Sequence, residues 1–136
     1  MDALLPEGEI FVSVSREGRE RIYTSDENCI SLPMVVLINK NTYSAAEFFA
    51  AALREYNWAA VIGQPSTGKG RSQSTFELTD GSAVHISTQR YLTPSRIDLS
   101  EQGGLTPDMT VEEEEGRDAP LESAVEYLKA NREEPI

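Results

Sequence analysis

The loop GQPSTGKGRS, residues 63–72, sets a lysine between two glycines, Gly68 and Gly70. It falls one position short of the phosphate-binding pattern G-x-x-x-x-G-K-[ST]: Gly63, Gly68 and Lys69 are in place, but Gly70 stands where a hydroxyl is needed to hold magnesium. A second chemistry is open to the same lysine. Ser44 lies upstream in TYSAAE, and a neutral lysine amine is one of the few groups able to take the proton from a serine hydroxyl and turn it into a nucleophile. A free lysine has a pKa of about 10.4, and lowering it by about three units costs on the order of 4 kcal/mol, so a basic lysine must be desolvated or set beside another cation. Carboxylates in an acidic chain oppose this, and local burial has to win. Gln73 is four residues beyond Lys69. That even spacing keeps both side chains on one side of an extended segment, where the Gln73 carbonyl oxygen could aim the amine.

These residues need elements to hold them. MVVLI at 34–38 is a continuous apolar run after Pro33 and reads as a strand buried on both faces. In AAEFFAAALREY, Ala45, Phe49, Ala52, Leu53 and Tyr56 recur at helical spacing, Glu47, Arg54 and Glu55 fall on another side, and Asn57 is a natural end. WAAVI at 58–62 is a second apolar run. Strand, helix and strand within 34–62 predict a parallel βαβ unit with a right-handed crossover. Loops at the carboxyl ends of parallel strands emerge on one edge, so the loops carrying Ser44 and Lys69 share it, the second reaching up to about 23 Å when extended. Ser44 sits at the helix N-terminus, where free N–H groups and positive partial charge favour a developing oxyanion. After Lys69, STFELT and SAVHISTQRYL alternate around Asp80-Gly81 and predict a hairpin with a two-residue turn. A phosphate loop opens a helix instead, which counts against the nucleotide reading. EIFVSVSREGRERIYTS predicts another hairpin around Glu17-Gly18. The rest holds a Gly-Gly and Pro loop, a solvated four-Glu run at 112–115, and an amphipathic helix in LESAVEYLKANR.

Composition removes other classes. A chain of 136 residues, 39% hydrophobic, is the size of one domain. Its net charge of −11, with 12 scattered Lys and Arg, argues against nucleic-acid partners. One Cys allows no internal disulfide, and one His with one Cys allows no ordinary zinc site. No basic start leads into an apolar run, and no window approaches the ~18 apolar residues needed to cross a bilayer. Each candidate also has a plain structural reading. Ser44-Ala45-Ala46-Glu47 fits a capping box, Lys69 reads as a solvated loop charge, and Gln73 as a strand-surface amide. His85 sits opposite Val84 and Ile86 and is the sole candidate for a Ser-His pair. Cys29 reads as a half-buried filler.

Taken in order, VVLINKNTYSAAEFFAAAL, AAVIGQPSTGKGRSQ, ELTDGSAVHISTQRYLTPS and GGLTPDMTVE resemble the carboxyl-terminal processing (tail-specific) serine proteases, over nearly the whole chain and over the C-terminal half of that family's protease domain. The resemblance implies an α/β fold of the Clp protease and crotonase type with stacked β-β-α units, here a parallel βαβ core plus β-hairpins and a C-terminal helix in one domain, 1–136. It implies Ser44 as nucleophile, Lys69 as general base, Gln73 as its orienting partner and the Ala45 N–H as one oxyanion donor. The implied activity is endopeptidase cleavage near exposed C-termini of proteins, outside the cytoplasm, with no metal, nucleotide or other cofactor. Tyr43, Ala46 and Thr67 depart from the family's usual small residue, serine and aromatic. The family's second oxyanion donor, from an R-x-N-x-G-G segment, and its PDZ domain lie upstream of the matched region. The isolated chain is therefore expected to have little or no activity, and to self-associate through strand exchange. Peptide binding by strand addition beside Ser44 is the expected mode. A non-catalytic peptide-binding module is the alternative, and a nucleotide binder the third.

Overall fold

Alternating side chains in the first segment produce the hairpin the sequence predicts: β1 (Gly8–Ser15) pairs antiparallel with β2 (Glu20–Ser25), with Val12 and Val14 buried. The computed structural model describes residues 2–131, beginning with a short 3-10 turn at Asp2–Leu4. β3 (Val35–Ile38), α1 (Ala45–Glu55) and β4 (Ala60–Gly63) form the expected parallel unit, in register from Val35 opposite Ala60 to Ile38 opposite Gly63. β5 (Arg71–Glu77) and β6 (Ala83–Leu92) form the second hairpin. A short helix, α2 (Leu99–Gln102), interrupts the glycine-rich loop, β7 (Met109–Thr110) adds parallel to β4, and α3 (Ala119–Ala130) closes the described chain. Arg132, the last residue of the predicted terminal helix, lies outside the described residues.

The strands form two sheets, an antiparallel one in the order β2-β1-β6-β5 and a parallel one in the order β3-β4-β7. α1 packs against β1 of the first and β4 of the second. It can do so because its middle is small: Ala50, Ala51 and Ala52 are buried, and Phe48 and Leu53 fill the space on either side. Phe48 contacts the Tyr91 ring edge-on, and Tyr91 meets Phe11 the same way. Asn57 just beyond α1 adopts positive φ (54°), the left-handed turn that ends many helices.

Three local expectations differ from what forms. β3 is an edge strand, so Leu37 is 41% exposed instead of buried on both faces. On α1, Glu47 is fully buried while Ala45 is exposed, the reverse of the helical pattern, because the loops at the N-terminus of the helix cover one side of its first turn. Both hairpins turn over three residues. Leu78 donates to Ser82 O while the Gly81 N–H returns to Leu78 O, and Ser15, Arg19 and Gly18 repeat the arrangement. Gly81 and Gly18 take positive φ, which marks a type I turn with a glycine bulge, so Asp80-Gly81 is two-thirds of the turn and not all of it.

Gly63 ends β4 directly opposite Ile38 of β3. Its φ is 129°, and a Cβ there would lie 2.0 Å from Ile38 O. Gly63→Ala is therefore expected to lower unfolding stability by at least about 2 kcal/mol, read from denaturant titration, because backbone on both sides would have to move.

Candidate active site

Ile38 and Gly63 stand level at the ends of their parallel strands, so the loop to Ser44 and the loop to Lys69 leave together. Thr67 fastens one to the other, its N–H donating to Thr42 O (2.9 Å) and its hydroxyl to Lys40 O (2.9 Å). The main fastening is the Glu47 carboxylate. Oε2 accepts the backbone N–H of Ser44 (2.8 Å) and of Lys69 (2.8 Å), while Oε1 accepts the Gly68 N–H (2.6 Å) and the Ser66 hydroxyl (2.5 Å). The Ser44 and Lys69 backbone nitrogens are thus at most twice 2.8 Å apart. The N–H groups that a phosphate loop would offer to a nucleotide are turned onto an anion the chain supplies itself, and the segment beyond them is β5, not a helix.

Behind Glu47, Ser66 is locked to the glycine loop: Leu105 N–H donates to its hydroxyl (2.7 Å) and Leu105 O accepts its N–H (3.1 Å). Gly68 and Gly104 let these segments touch, since a Cβ on Gly104 would lie 2.2 Å from Ser66 O and one on Gly68 2.8 Å from Gly104 N. Asp98 caps α2 by accepting from the Ser100 N–H (3.0 Å) and meets the Arg71 guanidinium at 2.9 Å. Burial pushes the Asp98 carboxyl up, but hydrogen bonds from Ser100 and Arg71 outweigh it and hold it below the usual carboxylate range.

Ser44 itself is strained. Its φ of 58° and ψ of −126° lie in a region that non-glycine residues rarely enter, at a sharp turn between β3 and α1. Ordinary N-caps are extended. The capping box is present in outline, but only the Glu47 arm closes to a full hydrogen bond. Strain at a strand-to-helix turn is how folds raise a serine hydroxyl clear of its surroundings for attack. Ala45 opens α1 and is exposed, with its N–H among those a helix leaves without an internal acceptor.

The other candidate side chains do not meet that hydroxyl. Lys69 is exposed, with Nζ 5.6 Å from the centre of the Tyr43 ring, a cation–π distance. No hydrogen bond joins Lys69 Nζ to Ser44 Oγ or to Gln73 among the described residues. Gln73 donates through Nε2 to Arg71 O and to Ser87 Oγ, both at 3.3 Å. β5 starts only at Arg71, so Lys69 lies outside the regular pleat on which its even spacing from Gln73 depended. His85 is paired across the hairpin to Thr75 (2.8 Å) and is exposed. Cys29 is half-buried in the connection after β2. Glu47 is the residue that sequence reasoning undervalued. Its signal was its place as the one acid in the first turn of α1, set among alanines and phenylalanines.

Several known proteins resemble this chain in sequence and fold. The model of Peptidase family S41 matches residues 1–111. A carboxyl-terminal-processing protease of Synechocystis sp. is 38% identical over 110 residues, covering 80% of this chain and 26% of that protein. The chloroplastic carboxyl-terminal-processing peptidase 2 of Arabidopsis thaliana is 43% identical over 101 residues, covering 73% of this chain and 19% of that protein. Among solved structures, a photosystem II D1 C-terminal processing protease superposes with a TM-score of 0.76 at 34% identity, covering 82% of this chain and 29% of that one. The chain thus spans about a fifth to a quarter of the length of these two curated relatives.

Two substitutions separate a strained nucleophile from a simple cap. Ser44→Gly is expected to be more stable than Ser44→Ala by about 1 kcal/mol or more in denaturant unfolding, because only glycine takes φ 58°, ψ −126° without strain. Equal stabilities would remove the strain argument. Glu47→Gln is expected to cost about 2–3 kcal/mol, since the side-chain amide nitrogen, on either oxygen's position, would face a backbone N–H that can only donate. Amide hydrogen exchange at Gly68 and Lys69 should rise with it.

Proposed function

The chain belongs to Peptidase family S41, and on that premise we propose that it carries the nucleophile and the base of a serine endopeptidase acting near the C-termini of proteins. Ser44 Oγ attacks the scissile carbonyl carbon while the neutral Lys69 amine takes its proton. The carbonyl oxygen, now an anion, receives the Ala45 N–H at the start of α1. The ammonium of Lys69 then returns the proton to the leaving amine, and a water activated by the same lysine releases the acyl group. Lys69 reaches Ser44 by rotating off the Tyr43 ring. Gln73 accepts from the amine through its Oε1, leaving Nε2 on Ser87.

The observation that carries this reading is the strained Ser44 turn held to the Lys69 loop by one buried carboxylate. A cap needs no strain, and a solvated loop lysine needs no such anchor. The free edge of β5, which begins two residues after Lys69, is the strand on which a peptide would add. With one oxyanion donor supplied by this segment, the chain alone is proposed to be weakly active or inactive. Loss of a single such donor costs about 10²–10³ in rate. Work outside the cytoplasm belongs to the same proposal. Among the described residues no helix is long and apolar enough to cross a membrane.

The Lys69–Tyr43 contact and the engaged Gln73 amide favour a second reading, a module that grips peptide tails without cutting them. The two diverge in a polypeptide that joins this chain to a segment supplying the second oxyanion donor. Hydrolysis of an unfolded protein should fall by at least about 10³-fold in both Ser44→Ala and Lys69→Ala, while peptide binding persists. Undiminished hydrolysis in Ser44→Ala would remove the catalytic reading. The wild-type rate should also rise from pH 6 to pH 9, because only the neutral amine is a base.

A further inference from the structure

A chain with 23 acidic and 12 basic residues has little cause to gather arginines in one place unless an anion is held there. Arg16 from the β1–β2 turn, Arg90 from β6 and Arg71 from the start of β5 line one open cavity of about 370 Å3, with Ser87 and Gln89 and without any Asp or Glu. Arg71 and Arg90 stand directly opposite one another on paired strands, an arrangement in which like charges destabilise a sheet. Asp98 offsets Arg71 from one side. The guanidinium groups of Arg16 and Arg90 have no ion-pair or hydrogen-bond partner among the described residues. The neighbouring acid, Glu17, takes the Ser15 hydroxyl at 2.9 Å and does not line the cavity.

The cavity also adjoins the candidate site. Arg71 is two residues beyond Lys69, so their Cα atoms are within about 7 Å. Ser87, which lines the cavity, accepts the hydrogen bond from Gln73. A peptide laid on the edge of β5 would start its path at Arg71.

We propose that this cavity is a carboxylate-binding subsite for the peptide, with Arg16 and Arg90 as its specificity-determining residues. The inference rests on the peptide-binding part of the function proposed above and adds the substrate class: peptides that present a carboxylate, whether the free terminal group or an acidic side chain. Guanidinium forks match a carboxylate with paired hydrogen bonds, and the filled cavity would relieve the Arg71–Arg90 repulsion.

The test uses the chain with Ser44→Ala, so that binding is read without cleavage, and three labelled apolar decapeptides: a free acid, its C-terminal amide, and the amide with one internal Glu. In fluorescence anisotropy at low salt, a carboxylate-bearing peptide is expected to bind at least about tenfold more tightly than the plain amide. Adding Arg16→Gln or Arg90→Gln should remove most of that preference without weakening binding of the amide, and neither should lower the melting temperature. Preference for the free acid identifies the terminal carboxylate as the ligand, and preference for the Glu peptide identifies a side chain. Equal binding of all three, no binding of any, or a preference that survives both substitutions overturns the proposal. Cleavage is scored separately, with Ser44 intact, in the polypeptide that joins this chain to a segment supplying the second oxyanion donor. Selective binding without cleavage upholds the subsite while the peptidase reading fails, and cleavage without selectivity does the reverse.

Discussion

The Glu47 carboxylate is the constraint on which the rest of the site depends. It is fully buried, and each of its oxygens accepts two hydrogen bonds, the four donors being Ser44 in the turn before α1 and Ser66, Gly68 and Lys69 in the loop after β4. A buried anion is tolerated only when its lone pairs are filled, so those donors have little freedom to move. The start of α1 adds favourable dipole for the charge. The two loops that leave the parallel strands are thereby fixed to each other, with Thr67 adding two further hydrogen bonds between them, and no hydrogen bond joins the Ser44 and Lys69 side chains among the described residues.

This explains why the lysine loop looks like a phosphate loop and is not built as one. Glycines at 63, 68 and 70 give it the tight path of an anion cradle. The anion is internal, and the third glycine serves packing: a Cβ at Gly70 would press on Asp98 and Ser100 at 3.1–3.4 Å. With the backbone N–H groups taken, the lysine side chain is the loop's free chemical resource. It rests against Tyr43, the aromatic residue immediately before Ser44, where the family resemblance leads one to expect something smaller. The ring faces the ammonium at a cation–π distance.

Much of the fold was legible in the sequence because its signals are short-range. Alternation in IFVSVS and in AVHISTQ, glycines at the turns, and apolar runs on either side of an alanine-rich helix each report a local preference that the tertiary structure agrees with. The misreadings arose where burial is decided by distant residues. Leu37 was assigned to a strand covered on both faces, but β3 lies at a sheet edge. β7 is two residues long and carries no pattern of its own. It exists because Asp108 accepts the Val61 N–H and the Arg54 guanidinium, docking that segment beside β4.

What the sequence by itself determined is the order of elements and the placement of Ser44 and Lys69 on loops at one edge of a parallel pair, since strand direction and loop position follow from local pattern and chain connectivity. The strain at Ser44, the burial of Glu47, the resting place of Lys69 and the collection of three arginines around one cavity were decided only by the tertiary structure. Each of these depends on the energy of a charge or a backbone angle in surroundings built from segments far apart in the chain, and no local pattern carries that information.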